Sequence, residues 1–385
     1  MKLAAVLLLL CADALCQTKV PVFVSGTGGY RIYRIPAIIA LANGDLLAFA
    51  EGRVEGGSDF GNVDIVMKRS RDHGKSWSEL AVVAGNDSLQ AGNPAPVVDF
   101  LDPAYRNGRV FLFYNTGNNH EGEVRKGNGV REVWYTTSAD GGATWSAPEN
   151  ITAQVHRPNQ PAFNQSYDFK EDWRSYANAP GHALQISSGE YKGRLFVPAN
   201  HSSGDPQPRY RDYAAHGYFT DDHGRTFHLA ESVPMPGSNE STAAELSDGT
   251  VMMNMRNQSG DIRARIIALS KSGGARWDTA WYEKKLPDPV CEGSILTIGK
   301  RSKKNILAFC NAADTVNRDN LTLRISFDDG RSWKENIVVD KSAPGKEERH
   351  AAYSDIVKVG TNKVGVLYER ENYSAIVFTV LRWRD

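Results

Sequence analysis

The chain has 385 residues, 41% hydrophobic and 23% charged, an ordinary balance for a soluble protein with ample length for a large core. Lysine plus arginine equals aspartate plus glutamate, 45 against 45, so the net charge supports neither a nucleic-acid partner nor an anionic membrane surface. Any anion recognition must come from arginines placed locally.

Met1 and Lys2 precede an apolar run, Leu3 to Leu10, then Cys-Ala-Asp-Ala-Leu-Cys-Gln. One positive charge, about 8 apolar residues and small residues after them predict a signal peptide over residues 1–16, cut near Cys16. The run is shorter than the roughly 20 apolar residues that span a bilayer, so no membrane insertion is expected. The mature chain, 17–385, is expected to be one soluble, monomeric domain, secreted or exported to a periplasm. Lipidation of Cys16 is the competing reading, and the bulky Leu15 before it argues against it.

One eight-residue pattern then recurs, Ser/Thr-x-Asp-x-Gly-x-Ser/Thr-aromatic. Its copies are Ser70-Arg-Asp72-His-Gly74-Lys-Ser76-Trp77, Ser138 to Trp145, Thr220 to Phe227 and Ser326 to Trp333. A decayed copy, Ser270 to Trp277, has Ser272 where the aspartate should be. Aspartate bonds to backbone N–H groups further along a turn, and glycine takes the positive φ the turn requires. Each copy follows a strand-like run, such as Val63-Asp-Ile-Val-Met-Lys-Arg. Successive copies start 68, 82, 50 and 56 residues apart, a spacing that fits one four-stranded sheet per repeat. No helix of 12 or more residues is legible. The expectation is an all-β six-bladed β-propeller of four-stranded antiparallel sheets, with one blade shared by the two ends so that the ring closes without free edges.

Beyond the leader two cysteines remain, Cys291 and Cys310, flanking a predicted hairpin with its turn near Ser302. That register sets them nearly opposite, so a disulfide and a pair of buried thiols are both open. The nine histidines show no paired spacing of the kind that marks a zinc site, and no dense oxygen-ligand loop is visible, so no cofactor or metal is expected. Asn-x-Ser/Thr sequons start at Asn86, Asn150, Asn164, Asn200 and Asn372, and also at Asn239, Asn257 and Asn320, which adjoin candidate site residues.

Tyr33-Arg34-Ile35-Pro36 just before the first repeat, followed by the recurring boxes, resembles the sialidase superfamily, in particular the exo-α-sialidases. The likeness runs from about Val22 to Phe378. It implies hydrolysis of a terminal sialic acid from sialylated glycans, with retention, through a tyrosyl intermediate. It also implies three arginines on the sugar's carboxylate, for which a planar guanidinium fork is suited: Arg34, Arg256 and Arg318. Tyr353 takes the nucleophile's place, since a neutral phenol approaches a carbon bearing a carboxylate without repulsion. Glu240 takes the place of its base, and Asp59 that of the acid/base. Glu369 would orient Arg34, and Arg53 and Asp99 would touch ring hydroxyls. Glu245 and Asp64 are rivals of Glu240 and Asp59, each better read as structural, and so is Arg324. The segment 116–129 lacks the tryptophans that some members place around the acyl group, which leaves the type of sialic acid open. Transfer to another sugar or an intramolecular reaction would reuse the same residues. A non-catalytic sialic-acid-binding propeller would be expected to have lost at least one of them.

Overall fold

A computed structural model describes residues 18–346 and 349–383. The predicted signal peptide, residues 1–16, lies outside the described residues. Among the described residues the helical segments are short: Glu121–Val124, Thr152–Val155 and the 3-10 turn Pro208–Tyr210. Everything else regular is strand, and the pairing within each repeat is antiparallel and sequential. The chain is an all-β propeller.

The expected six separate four-stranded sheets need correction. Hydrogen bonding groups the strands into five sheets: three of four strands, one of five and one of eight. The eight-stranded sheet consists of two antiparallel units, residues 32–84 and 90–150, joined where Val63 pairs in parallel with Gln90. The fifth strand of another sheet is the two-residue Leu184–Gln185, which pairs with Leu195–Ser203. Ring closure does occur as the ends suggested: Val20–Val24 pairs antiparallel with Ala375–Arg382, so the first and last strands share a sheet.

The boxes form the turns their residues imply. Asp72 accepts from the Ser76 N–H (2.9 Å) and hydroxyl (2.6 Å), while the Ser70 hydroxyl accepts from the Gly74 N–H (2.8 Å). Asp140, Asp222 and Asp328 repeat this pattern. In the decayed copy the Ser272 hydroxyl takes over, accepting from the Arg276 N–H at 2.8 Å, which is why the turn survives without its aspartate. Gly74 has φ +88°, and a Cβ there would lie 2.0 Å from the Phe378 ring. The closing aromatics pack across to the neighbouring unit. Trp77 meets Phe378 edge-on (5.5 Å between centroids), Trp145 meets Phe49 (6.1 Å), and Phe227 meets Phe113 (5.8 Å). Buried apolar clusters therefore lie between successive units rather than in one central mass. Rings in this edge-to-face geometry contribute roughly 0.5–1.5 kcal/mol each beyond their buried area.

This arrangement sorts the strands' two ends. In the first unit Leu46 pairs with Ser70 at the box end, and Arg53 pairs with Val63 at the other. Chemistry-bearing side chains gather at that second end.

Cys291 and Cys310 are both free thiols and both buried. The hairpin turns at Arg301–Lys304, so Cys310 faces Ser294 across the strands, and Cys291 lies before the strand Gly293–Arg301 begins. Burial pushes both thiols up to about 12.

Candidate active site

Strand ends and the loops beside them supply the site one residue at a time. Arg34 lies in Ile32–Ala40, where a bulge between Arg34 and Ala37 breaks the alternation; Ile35 there has φ +59°. The bulge turns Arg34 inward. Its Nε donates to Glu369 Oε1 at 2.6 Å, and the Ile35 N–H donates to the same oxygen at 2.9 Å. Glu369, fully buried on Lys363–Arg370, also accepts from the Tyr353 N–H at 3.3 Å. One buried carboxylate thus ties two strands and leaves the outer edge of Arg34 available. A charge so deeply buried requires such a partner.

Tyr353 sits on Ala351–Lys358, 5% exposed. Its hydroxyl lies 2.7 and 2.8 Å from the two oxygens of Glu240, and Nη1 of Arg256 donates to it at 2.6 Å. Arg256 Nη1 also donates to Glu240 at 2.6 Å. Glu240 and Arg256 come from paired strands, Ser238–Glu245 and Val251–Asn257, and a bulge between Ser238 and Ser241 swings Glu240 toward Tyr353. Burial raises the Tyr353 phenol well above its ordinary value, the Glu240 charge adds to this, and Arg256 and Arg318 oppose it. The phenol is therefore neutral at rest. The Arg34 and Arg318 guanidiniums each lie 5.3 Å from the Tyr353 ring centre. The described residues also line a cavity of about 380 Å³ that reaches Arg256 and Arg318 and is walled by Pro289, Val290 and Val316.

Asp59 stands at the mouth, its side chain 72% exposed, with Oδ1 2.7 Å from Arg53 Nη1 and 3.9 Å from Arg34 Nη1. Crowding by the cleft walls pushes its pKa up, but the charges of Arg53 and then Arg34 outweigh this and hold it below the usual carboxylate range. Arg53 is itself locked by Glu51, at 3.0 and 2.6 Å, and by the Gly57 carbonyl at 2.8 Å.

Asp99 is the exception. It ends the strand Gln90–Asp99, whose first residue is the one near the cleft, and nine residues at about 3.3 Å each put it roughly 30 Å away. There it accepts from the Leu101 and Asp102 N–H groups and from Gln185 Nε2, and it meets His223 Nδ1 of the third box at 2.7 Å. It joins box to strand and touches no cleft residue, so the expected role on a ring hydroxyl is withdrawn. Among the described residues Asp99, Asp102 and His223 are close enough to hold a metal ion, yet Arg109 already bears on Asp102 at 3.2 Å.

The rivals are structural. Glu245 accepts from the Ser187 N–H (2.8 Å) and the Ser188 N–H (3.1 Å), Asp64 accepts from the Tyr30 hydroxyl (2.7 Å), and Arg324 donates to Asn311 (2.7 Å). The sequons beside the site spend their side chains locally. Asn239 accepts from the Glu240 N–H (2.8 Å), and Asn257 and Asn320 donate to the Ile262 (2.6 Å) and Ala313 (3.2 Å) carbonyls.

Sequence reasoning passed over Glu51, Asn93, Arg131 and Tyr373. Asn93 has φ +55° and donates its N–H to Glu51 at 2.8 Å. Arg131 is buried beside the cleft and donates to Gln90. Glu51 stood inside the Phe49-Ala-Glu51-Gly-Arg53 run, where a charge among buried strand residues was the available signal. Tyr373 belongs to a turn and carried none.

A phenol beside a carboxylate, with several arginines at the same end of the sheets, is an arrangement that can pair with an anionic ligand and draw the proton from the phenol. Residues 44–366 match the BNR repeat-like domain family. A sialidase of Micromonospora viridifaciens is 31% identical over 369 residues, covering 91% of this chain and 52% of that protein. An exo-alpha-sialidase of Arthroderma benhamiae is 30% identical over 362 residues, covering 90% and 79%. The chain thus spans about half the length of the first and most of the second. Among solved structures, the Hadza microbial sialidase Hz136 superposes with TM-score 0.77 at 23% identity, covering 95% of this chain and 68% of that one. The intramolecular trans-sialidase from Ruminococcus gnavus superposes at 0.73 and 17%, covering 94% and 97%. The chain belongs to the sialidase superfamily.

Proposed function

We propose that this protein is an exo-α-sialidase, a glycoside hydrolase that removes a terminal sialic acid from glycoproteins, glycolipids or oligosaccharides with retention of configuration. The observation that carries the reading is the Tyr353 hydroxyl, held within 2.8 Å of both Glu240 oxygens and within 2.6 Å of Arg256. Arg34, Arg256 and Arg318 take the substrate carboxylate. Tyr353 oxygen forms a bond to the anomeric carbon as Glu240 accepts its proton. The glycosidic C–O bond breaks as Asp59 delivers a proton to the leaving oxygen. Water then attacks the same carbon, Asp59 takes its proton, and the phenol leaves and recovers its own from Glu240. Sialylated glycans on exported or extracellular material suit the predicted leader.

On architecture, we read the fused eight-stranded sheet as two blades sharing one bridge. Apolar clusters that each draw on two successive four-strand units support a sixfold ring.

The test is a time course of sialoside cleavage by proton NMR with mass analysis of the product. The α-anomer first, at the mass of free sialic acid, supports the reading. Initial β-anomer sinks retention. An anhydro or transferred product turns the assignment to a trans-sialidase reaction of the same site, and binding without turnover turns it to a lectin.

A further inference from the structure

We propose that Tyr373 is a positioning residue of this site, a clamp that sets Arg34 and Arg318 as a pair for the substrate carboxylate; the proposal rests on the sialidase reading. The Arg34 guanidinium lies 4.0 Å from the centre of the Tyr373 ring, and Arg318 Nη1 donates to the Tyr373 hydroxyl at 3.3 Å. One side chain therefore touches two arginines far apart in the sequence, Arg34 on the strand Ile32–Ala40 and Arg318 in the loop before Leu321–Ser326. The Arg34 guanidinium is left between two rings, Tyr373 and, at 5.3 Å, Tyr353.

The turn that delivers Tyr373 is unusual. Glu371, Asn372 and Tyr373 have φ +47°, +52° and +66°, three successive non-glycine residues in the left-handed region. Such a run persists only where the surroundings impose it, and it gathers at functional sites. Here the surroundings do impose it. The Glu371 N–H donates to the His350 carbonyl (2.8 Å), and the Asn372 N–H to the Arg349 carbonyl (2.9 Å). The Ser25 hydroxyl donates to the Tyr373 carbonyl (2.7 Å), and the Ser25 N–H to the Ser374 carbonyl (3.0 Å). The turn is pinned from both sides, by the chain entering the Tyr353 strand and by the loop after the first strand.

The consequence for binding is entropic. Arginine side chains have many rotamers, and ordering them on binding subtracts from affinity. A ring against one guanidinium face and a hydroxyl on a second guanidinium order both beforehand, with cation–π attraction to Arg34 in addition. Tyr373 acts through the arginines, so its loss should weaken binding more than turnover.

The experiment compares wild type, Tyr373→Phe and Tyr373→Ala. It measures kcat and KM on a fluorogenic sialoside, the Kd of free N-acetylneuraminic acid by calorimetry, and Tm. Phe keeps the ring and drops the hydroxyl. It should raise KM and Kd about threefold with kcat within about twofold. Ala should raise both by about thirtyfold or more, with a smaller fall in kcat. Wild-type KM and Kd in the Ala variant overturn the clamp, as does a loss confined to kcat or one that merely follows the unfolded fraction. If wild type binds sialic acid but releases none from the sialoside, the hydrolase reading fails and the clamp is judged on Kd. If wild type binds none, both fall.

Discussion

The hydroxyl of Tyr353 and the carboxylate of Glu240 face each other at 2.7 and 2.8 Å, with Arg256 donating to both. A phenol has one proton, so it donates to Glu240 while accepting from Arg256. The geometry readies the oxygen to lose that proton in one direction while a fixed positive charge waits in the other. Both features are what the proposed role of Tyr353 as nucleophile requires.

Removing that oxygen should therefore cost rate and little stability. Tyr353→Phe is expected to lower kcat/KM about a thousandfold or more, and Glu240→Gln about a hundredfold to a thousandfold, on a fluorogenic sialoside. Tm should stay within a few degrees of wild type for Phe. Turnover at the wild-type rate by Tyr353→Phe would remove the phenol from the mechanism.

Asp59 yields a prediction with a sign. Despite the crowding that pushes its pKa up, Arg53 and Arg34 hold it low in the free protein, so it carries a proton there only at acid pH. A general acid must be protonated when the bond breaks. A substrate carboxylate paired with Arg34 cancels part of the positive field and lets the Asp59 pKa rise. The basic limb of kcat, which reports the bound state, should then lie at higher pH than that of kcat/KM, which reports the free state. Asp59→Ala should lose about a hundredfold or more on natural sialosides and much less on those with an aryl leaving group that needs no proton. Coincident limbs, with equal losses on both leaving groups, would take Asp59 out of the acid's role.

How much of this was readable follows from how each feature is encoded. The boxes repeat with their aspartate, glycine and aromatic, so local chemistry announced the all-β architecture. The Val63–Gln90 pairing that fuses two units is a single non-local contact without a motif, and the count of separate sheets failed there. Arg34, Arg256 and Tyr353 stand at strand ends or bulges, where breaks in alternation mark them, and Asp59 and Arg318 stand in the loops beside those ends. Asp99 shares that mark, being an aspartate that ends a strand, but it stands at the end away from the cleft. Which end of a strand faces the cleft is decided by the chain's direction through the sheet, and a single motif does not carry it. Tyr373 depends on a turn conformation that its residues do not favour, so it was invisible.

Asp99→Ala tests that correction. The buried carboxylate accepts from two backbone N–H groups, Gln185 and His223, so its loss should cost about 2–4 kcal/mol of stability through unpaired donors. At a temperature where the variant is folded, kcat/KM should stay within about twofold of wild type. A selective loss of activity with unchanged Tm would return Asp99 to the site.

Three buried histidines in the third unit set an acid limit on the fold. The His201 ring stacks on Trp173 with centroids 3.4 Å apart, its Nδ1 lies 3.1 Å from His216 Nδ1, and the His156 ring lies 4.5 Å from Tyr176. Burial lowers all three, His216 to about 3, and the neighbouring histidines lower His156 and His201 further. The unfolded chain binds protons on them near pH 6.5 and the folded chain does not, so their stability is complete above that pH and falls away below it. Each costs about 1.4 kcal/mol per pH unit in that window. The box carboxylates of Asp140 and Asp222, held at about 2, begin to matter only below about pH 3.9. His182, raised because Asp355 outweighs burial, has the opposite sign and loses its contribution as pH rises instead. Tm should therefore drop steeply between pH 6.5 and 4.5. His156→Phe should flatten that slope by up to about a third, since the three contribute alike and neither His156 ring nitrogen has a partner among the described residues. A Tm that holds level from pH 7 to 4.5 would show that these rings accept protons without unfolding the sheet around them.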